Sequence, residues 1–147
     1  MKPSRSIVRR AEPSDCQWIY NFVCDLEETQ FDYPTFRNLY TRNIADPENI
    51  YFVAEVDGLL CGYISCHGQT LLHHGGRVFE IQELYVSEEF RNKGVGQLLV
   101  KNLEFELSKL DHQSLEVTAN NKRKKTHDFY KKMGFEFSHL KFTKSKN

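Results

Sequence analysis

Arg77 to Val86 reads RVFEIQELYV, Ser87 to Phe90 reads SEEF, and Arg91 to Leu99 reads RNKGVGQLL. The first run is rich in β-branched and aromatic residues and predicts a strand. The last places two glycines where Val95, Leu98, Leu99, Leu103, Leu107 and Leu110 begin to recur at helical spacing, so a long helix is expected over Gly94 to Leu110 with its apolar stripe on a sheet. At such a junction the first helical N–H groups lack partners and glycine leaves the approach to them open. The helix dipole adds about half a positive charge there, and Arg91 and Lys93 add full ones, so the junction suits a phosphate. It is neither a dinucleotide loop, because Leu99 stands where a third glycine would be needed, nor a G-x-x-x-x-G-K-[ST] phosphate loop, which the chain lacks.

Upstream, IYFVAEV (50–56) and LLCGYISC (59–66) are short strand-like runs joined through Asp57-Gly58, a hairpin signal, and His73-His74-Gly75-Gly76 marks the next turn. Ile7-Val8 opens the chain as a further strand. Ser14 and Asp15 are positioned to cap a helix carrying Trp18, Ile19, Phe22, Val23 and Leu26, and Asp32 before Pro34 caps a second with Phe36, Leu39 and Ile44. Downstream, Ser114 to Thr118 reads as a strand, Lys124 to Met133 as a helix ended by Gly134, and Phe135 to Phe142 as a final strand. The order β-α-α-β-β-β-α-β-α-β predicts an α/β fold of the α+β type, with helices flanking a mixed, mostly antiparallel sheet.

The chain has 147 residues, with 20 Lys+Arg against 20 Asp+Glu and no formal net charge. Residues 1–147 are expected to form a single domain, since a chain of this size supports one core. Charge balance lacks the basic excess that a nucleic-acid partner requires. No apolar run approaches a membrane span or a signal-peptide core, so a cytoplasmic protein is expected. Cys16, Cys24, Cys61 and Cys66 form no C-x-x-C pair and are expected to be buried free thiols.

Arg91-x-x-Gly94-x-Gly96 resembles the R/Q-x-x-G-x-G/A pyrophosphate loop of the GCN5-related N-acetyltransferase (GNAT) superfamily. Tyr130-Lys131-Lys132-Met133-Gly134-Phe135 is similar to its closing Y-x-x-x-G-F signature, and the element order matches across nearly the whole chain. Within the superfamily the chain is most like aminoalkylphosphonate N-acetyltransferases. The similar stretches are Phe31-Asp32 with Phe36-Arg37, His73-His74, Glu80 to Leu84, Ser138-His139 and Phe142 to Lys144.

The resemblance implies acetyl-CoA as cosubstrate and direct transfer of its acetyl group, in a ternary complex, to the primary amine of a small molecule. It implies a strand that splays from its neighbour at a bulge, with the backbone of Leu84, Tyr85 and Val86 pairing with the pantetheine arm. The diphosphate would rest on Arg91, Asn92, Lys93, Gly94, Val95, Gly96 and Gln97. Asn120 and Asn121 correspond to an asparagine that contacts the pantetheine arm, and Tyr130 to the tyrosine that protonates the departing thiolate. An amine of pKa near 10 is about 99.9 % protonated at pH 7, so a base is required, and Glu80 and Glu83 are the candidates. Three residues apart, they fall on opposite faces of a regular strand unless a bulge intervenes.

Lys122 to Lys125 is a further basic run that can reach an anionic group, and Arg37, Arg42 or Arg77 would have to line the site of a phosphonate. His67, His73 and His74 make a divalent metal conceivable, although no ligand spacing indicates one. Two other readings stay open: transfer to a protein, peptide or aminoglycoside, and a non-catalytic acyl-CoA-binding module. A homodimer paired through the final strand is also compatible with the resemblance.

Overall fold

A computed structural model describes residues 5–119 and 124–146. Asn120, Asn121, Lys122 and Arg123 lie outside the described residues. Five strands form one sheet in the spatial order β1-β2-β3-β4-β5: Ser6–Arg10, Asn49–Val56, Leu59–Leu71, Gly76–Val86 and Ser114–Val117. The first four are antiparallel neighbours and β5 runs parallel to β4. Asp57 and Gly58 both take positive φ, 51° and 83°, and close the β2–β3 hairpin as their residue types demand.

Helices cover both faces. Helix α3 (Val95–Leu107) lays Leu99, Val100, Leu103 and Leu107 on one face, against Phe52, Ile64, Cys66, Phe79 and Ile81, and Tyr130 of α4 (Lys124–Lys132) joins the same core. Helices α1 (Cys16–Glu27) and α2 (Tyr33–Ala45) cover the other face with Ile19, Phe22, Val23 and Tyr40 against Tyr51, Val53, Tyr63 and Tyr85. Sheet-facing alternation and helical periodicity thus meet in two apolar layers, as burial of a sheet on both sides requires. The four cysteines are free thiols, with Cys16, Cys61 and Cys66 buried. Among the described residues no helix is long and apolar enough to cross a membrane.

Three expectations need correction. Asp15 does not cap α1: its carboxylate accepts both terminal nitrogens of Arg9, at 2.8 and 2.9 Å, and the Glu12 N–H at 2.7 Å, and is buried. The ion pair competes for the oxygens a cap would use. No strand forms over Phe135 to Phe142, where the described chain runs without regular structure and Phe137, Leu140 and Phe142 are exposed. Alternating apolar residues make a strand only where a neighbouring backbone supplies partners, and none of the described strands is paired with them. Helix α3 is also shorter than the apolar spacing predicts, because Leu110 lies in the turn beyond it.

Candidate active site

The site is built around one irregularity in β4. In the β3–β4 ladder Ser65 pairs with Glu83 and Cys66 with Ile81, so Gln82 is an extra residue, a β-bulge. The bulge inverts the alternation. Before it Phe79 and Ile81 face α3 and Glu80 faces away, whereas after it Leu84 and Val86 face α3 while Glu83 and Tyr85 face α1 and α2. Glu80 and Glu83 therefore share a face, the outcome that a regular strand forbids.

At the same point β4 loses its other neighbour. Pairing with β5 covers Val78 to Ile81 only, so residues 82–86 run on with no strand on that side among the described residues. Thr118, just beyond β5, donates its hydroxyl to Glu80 Oε2 at 3.0 Å, and Gln82 Nε2 donates to Glu80 Oε1 at 3.4 Å. Leu84, Tyr85 and Val86 then line a cleft of about 490 Å³. Its other walls are Asp25, Leu26 and Glu28 at the end of α1, Arg91, and Lys125 and Thr126 at the start of α4.

The loop after β4 turns sharply. Asn92 and Gly94 both have positive φ, 61° and 84°, and Gly94 is the N-cap of α3 with no side-chain capping bond. The first-turn N–H groups of α3 are thus left to whatever approaches from outside. Arg91 is exposed, donates from Nε to the Val86 carbonyl at 2.8 Å, and lays its guanidinium 5.5 Å from the Tyr85 ring centre. Tyr85 stacks on Phe22 and donates its hydroxyl to Asp25, which ties β4 to α1 beside the cleft. Burial first, and then the Asp25 carboxylate, push its phenol up to about 12.

Tyr130 packs edge-on to Phe129 and Phe135 in the core that α3 shares, and burial pushes its hydroxyl up to about 12. A phenol in that setting stays protonated near neutrality and can give a proton away. Glu83 is half-buried, and the hydroxyls of Tyr63 and Ser65 both donate to its Oε1. Beside them His67, opposite Glu80 in the ladder, shares a 2.6 Å bond with Tyr51. Burial lowers the imidazole's affinity for a proton, and the nearby carboxylates of Glu83, Asp46 and Glu80 oppose that only in part.

The structure brings Leu84, Tyr85, Val86, Arg91 and Lys125 to one cleft, while Glu80 and Glu83 lie on the face of β4 opposite to Leu84 and Val86. It does not gather the histidines. His73 and His74 tilt against each other at the far hairpin, His74 stands 3.9 Å from Glu116, and among the described residues no group of three or more His, Cys, Asp or Glu converges to hold a metal ion. Arg77 is likewise taken up, by Glu48 at 3.4 Å and the Phe79 ring, while Arg37 and Arg42 are exposed on α2. Asp25, Tyr63 and Ser65 carry no motif in the sequence. Only the β3–β4 register, which places Ser65 opposite Glu83, would have pointed to the serine.

Residues 16–135 match the acetyltransferase (GNAT) family. An aminoalkylphosphonate N-acetyltransferase of Salmonella typhimurium is 35 % identical over 138 residues, 94 % of this chain and 90 % of that protein. Among solved structures, an aminoglycoside N-acetyltransferase in complex with CoA superposes with a TM-score of 0.87 at 13 % identity, over 99 % of this chain and 98 % of the other. Glucosamine-6-phosphate N-acetyltransferase from Arabidopsis thaliana does so with a TM-score of 0.81 at 18 % identity, over 97 % and 99 %. These two likenesses concern the fold, whereas the family match and the Salmonella relative concern descent and chemistry. The chain belongs to the acetyltransferase (GNAT) family and is an acetyl-CoA-dependent N-acetyltransferase.

Proposed function

We propose that this enzyme, with residues 1–147 acting as one catalytic domain, acetylates the primary amine of a small aminoalkylphosphonate by direct transfer in a ternary complex. The observation that carries the transfer reading is the end of β5 at Val117, opposite Ile81, which leaves residues 82–86 of β4 with no strand partner on that side among the described residues, beside a helix start with no side-chain cap. An extended pantetheine arm fits the edge at residues 82–86 as another strand would. A diphosphate fits the start of α3, with Arg91 and Lys93 as counter-charges and Gly94 leaving the approach clear, while Gly96 lets the helix start pack within van der Waals reach of Phe129 and Val86. The acceptor class rests on the likeness to the Salmonella enzyme.

Acetyl-CoA, when bound, supplies a thioester whose acyl carbon the amine attacks. A backbone N–H of residues 84–86 polarises the thioester carbonyl. A carboxylate of the Glu80–Glu83 pair takes the proton that keeps the amine unreactive, and the Tyr130 hydroxyl gives one to the leaving sulfur. Tyr130 enters this step protonated because burial holds its proton on. The Lys124–Lys125 end of the basic run provides positive charge near the cleft for the anionic part of either substrate.

Thiol release from acetyl-CoA, followed against aminoalkylphosphonates, polyamines, aminoglycosides and peptides with and without a divalent metal, tests the acceptor. The highest kcat/KM is expected with an aminoalkylphosphonate. A preference for any other class sinks the acceptor assignment, and tight acetyl-CoA binding without turnover on any amine would mark an acyl-CoA-binding module instead.

A further inference from the structure

Two polar side chains of β3, Tyr63 and Ser65, are buried against the β4 bulge. Ser65 is 0 % exposed and Tyr63 2 %, and both lie where backbone ladders on each side already satisfy the strand. A phenylalanine would fill the place of Tyr63 without the cost of burying a hydroxyl, and Ser65 accepts one N–H there, which leaves its own proton to be placed. The hydroxyls instead converge on one atom. The Glu83 N–H donates to Ser65 Oγ at 3.1 Å, which leaves the serine's own proton for Glu83 Oε1, and Tyr63 donates to the same oxygen at 2.8 Å. A carboxylate oxygen that accepts two donors is a poor place for a third proton, so an incoming proton is directed to Oε2. Burial keeps the Tyr63 phenol a donor by raising its pKa well above the ordinary value. Glu80 has no such arrangement, since its two oxygens each take one weak or exposed donor, from Thr118 and from Gln82.

We propose that Ser65 and Tyr63 are positioning residues that clamp Oε1 of Glu83 and present Oε2 to the acceptor ammonium, which makes Glu83 the base. This rests on the reading of the Glu80–Glu83 pair as proton acceptor and chooses between its members. A glutamate has three side-chain torsions, and fixing them before substrate arrives removes that ordering from the transition state. The other titratable groups on this face are Tyr51 of β2, His67 of β3, Glu80 and Tyr85 of β4, and Asp25 of α1, which reaches the face through Tyr85. None of these is bonded to Glu83 among the described contacts, so the clamp is made by Ser65 and Tyr63.

The test is a double-mutant cycle in kcat, with acetyl-CoA and whichever amine of the panel above has the highest kcat/KM. Ser65→Ala and Tyr63→Phe are each expected to lower kcat about tenfold while the KM for acetyl-CoA changes less than about twofold. In a Glu83→Gln background the same substitutions are expected to change kcat less than about twofold, because the group they position is gone. A purely structural role would instead lower kcat by the same factor in both backgrounds, and that result overturns the clamp. So does parental kcat in both single variants when Glu83→Gln is slow. Parental kcat in Glu83→Gln itself overturns the assignment of Glu83 as base together with the clamp. Tyr63→Phe removes one oxygen and keeps the ring packing, so it tests the proposal even if Ser65→Ala unfolds.

Discussion

Tyr130 illustrates how its surroundings fit one residue to the role proposed for it. Its ring is a core aromatic between Phe129 and Phe135, and the same burial holds the proton on its hydroxyl. Tyr130→Phe keeps the packing and removes the proton donor, so kcat is expected to fall by about 10² or more while calorimetric titration returns an acetyl-CoA Kd within about twofold. An unchanged kcat would remove the acid assignment. With its pKa raised to about 12, Tyr130 contributes no alkaline limb to the rate in the neutral range.

Arg9 and Asp15 make the corresponding argument for stability. Burial alone would raise the Asp15 pKa, but the Arg9 guanidinium and the Glu12 N–H outweigh it and hold the pKa below its ordinary value. A depressed folded-state pKa gives stability that is present above the unfolded value, near 4, and is lost as pH falls through the folded one. Arg9→Met is therefore expected to cost about 2 kcal/mol or more at neutral pH, and the gap from the parent should narrow below about pH 4 in denaturant titrations. A gap that widens in acid would contradict the pairing.

At the scale of elements, the strand-to-helix junction was legible because its glycines, basic residues and apolar stripe are local in the chain. Gly94 adopts φ +84°, a conformation that costs a side chain about 1 kcal/mol or more, and nothing lies within 4 Å of a Cβ placed there. Gly94→Ala is thus expected to lower the thermal midpoint by strain alone, and to raise the acetyl-CoA Kd about tenfold by misdirecting the first N–H groups of α3. Unchanged affinity in a calorimetric titration would separate this turn from the cofactor. The resemblance implied a bulge in β4, but its place at Gln82 was not legible in the residues. Gln82 looks like any exposed strand residue, and its extra place exists only because Ser65 and Cys66 on another strand pair with Glu83 and Ile81. The tail fails for the complementary reason: Phe135, Phe137 and Phe142 carry strand-like chemistry, but no described strand pairs with them.

For the whole molecule, zero net charge conceals a division. Arg91 and Lys125 line the same cleft as Asp25 and Glu28, while Glu80 and Glu83 stand on the sheet face beneath α1 and α2. Binding of an anion at exposed cations is screened by salt, whereas the apolar layers on both faces of the sheet are not. Raising sodium chloride from low to molar concentration is therefore expected to weaken acetyl-CoA binding several-fold, read by titration, and to leave the thermal midpoint of the free enzyme nearly constant. An equal loss of both would indicate that the basic loop serves the fold and not the ligand.

The family, the element order, the phosphate-suited loop and the identities of Tyr130, Glu80 and Glu83 as candidates were decided by the sequence itself. Each depends on residue types at short, fixed spacings, and the forces that make helices, turns and caps act over the same short range. The shared face of the two carboxylates, the hydroxyls of Tyr63 and Ser65 on Glu83, the tie between Asp25 and Tyr85 and the lack of a sixth strand among the described residues were decided only by tertiary structure. These depend on which backbone lies beside which and in what register, and that is settled by packing two apolar layers against one sheet.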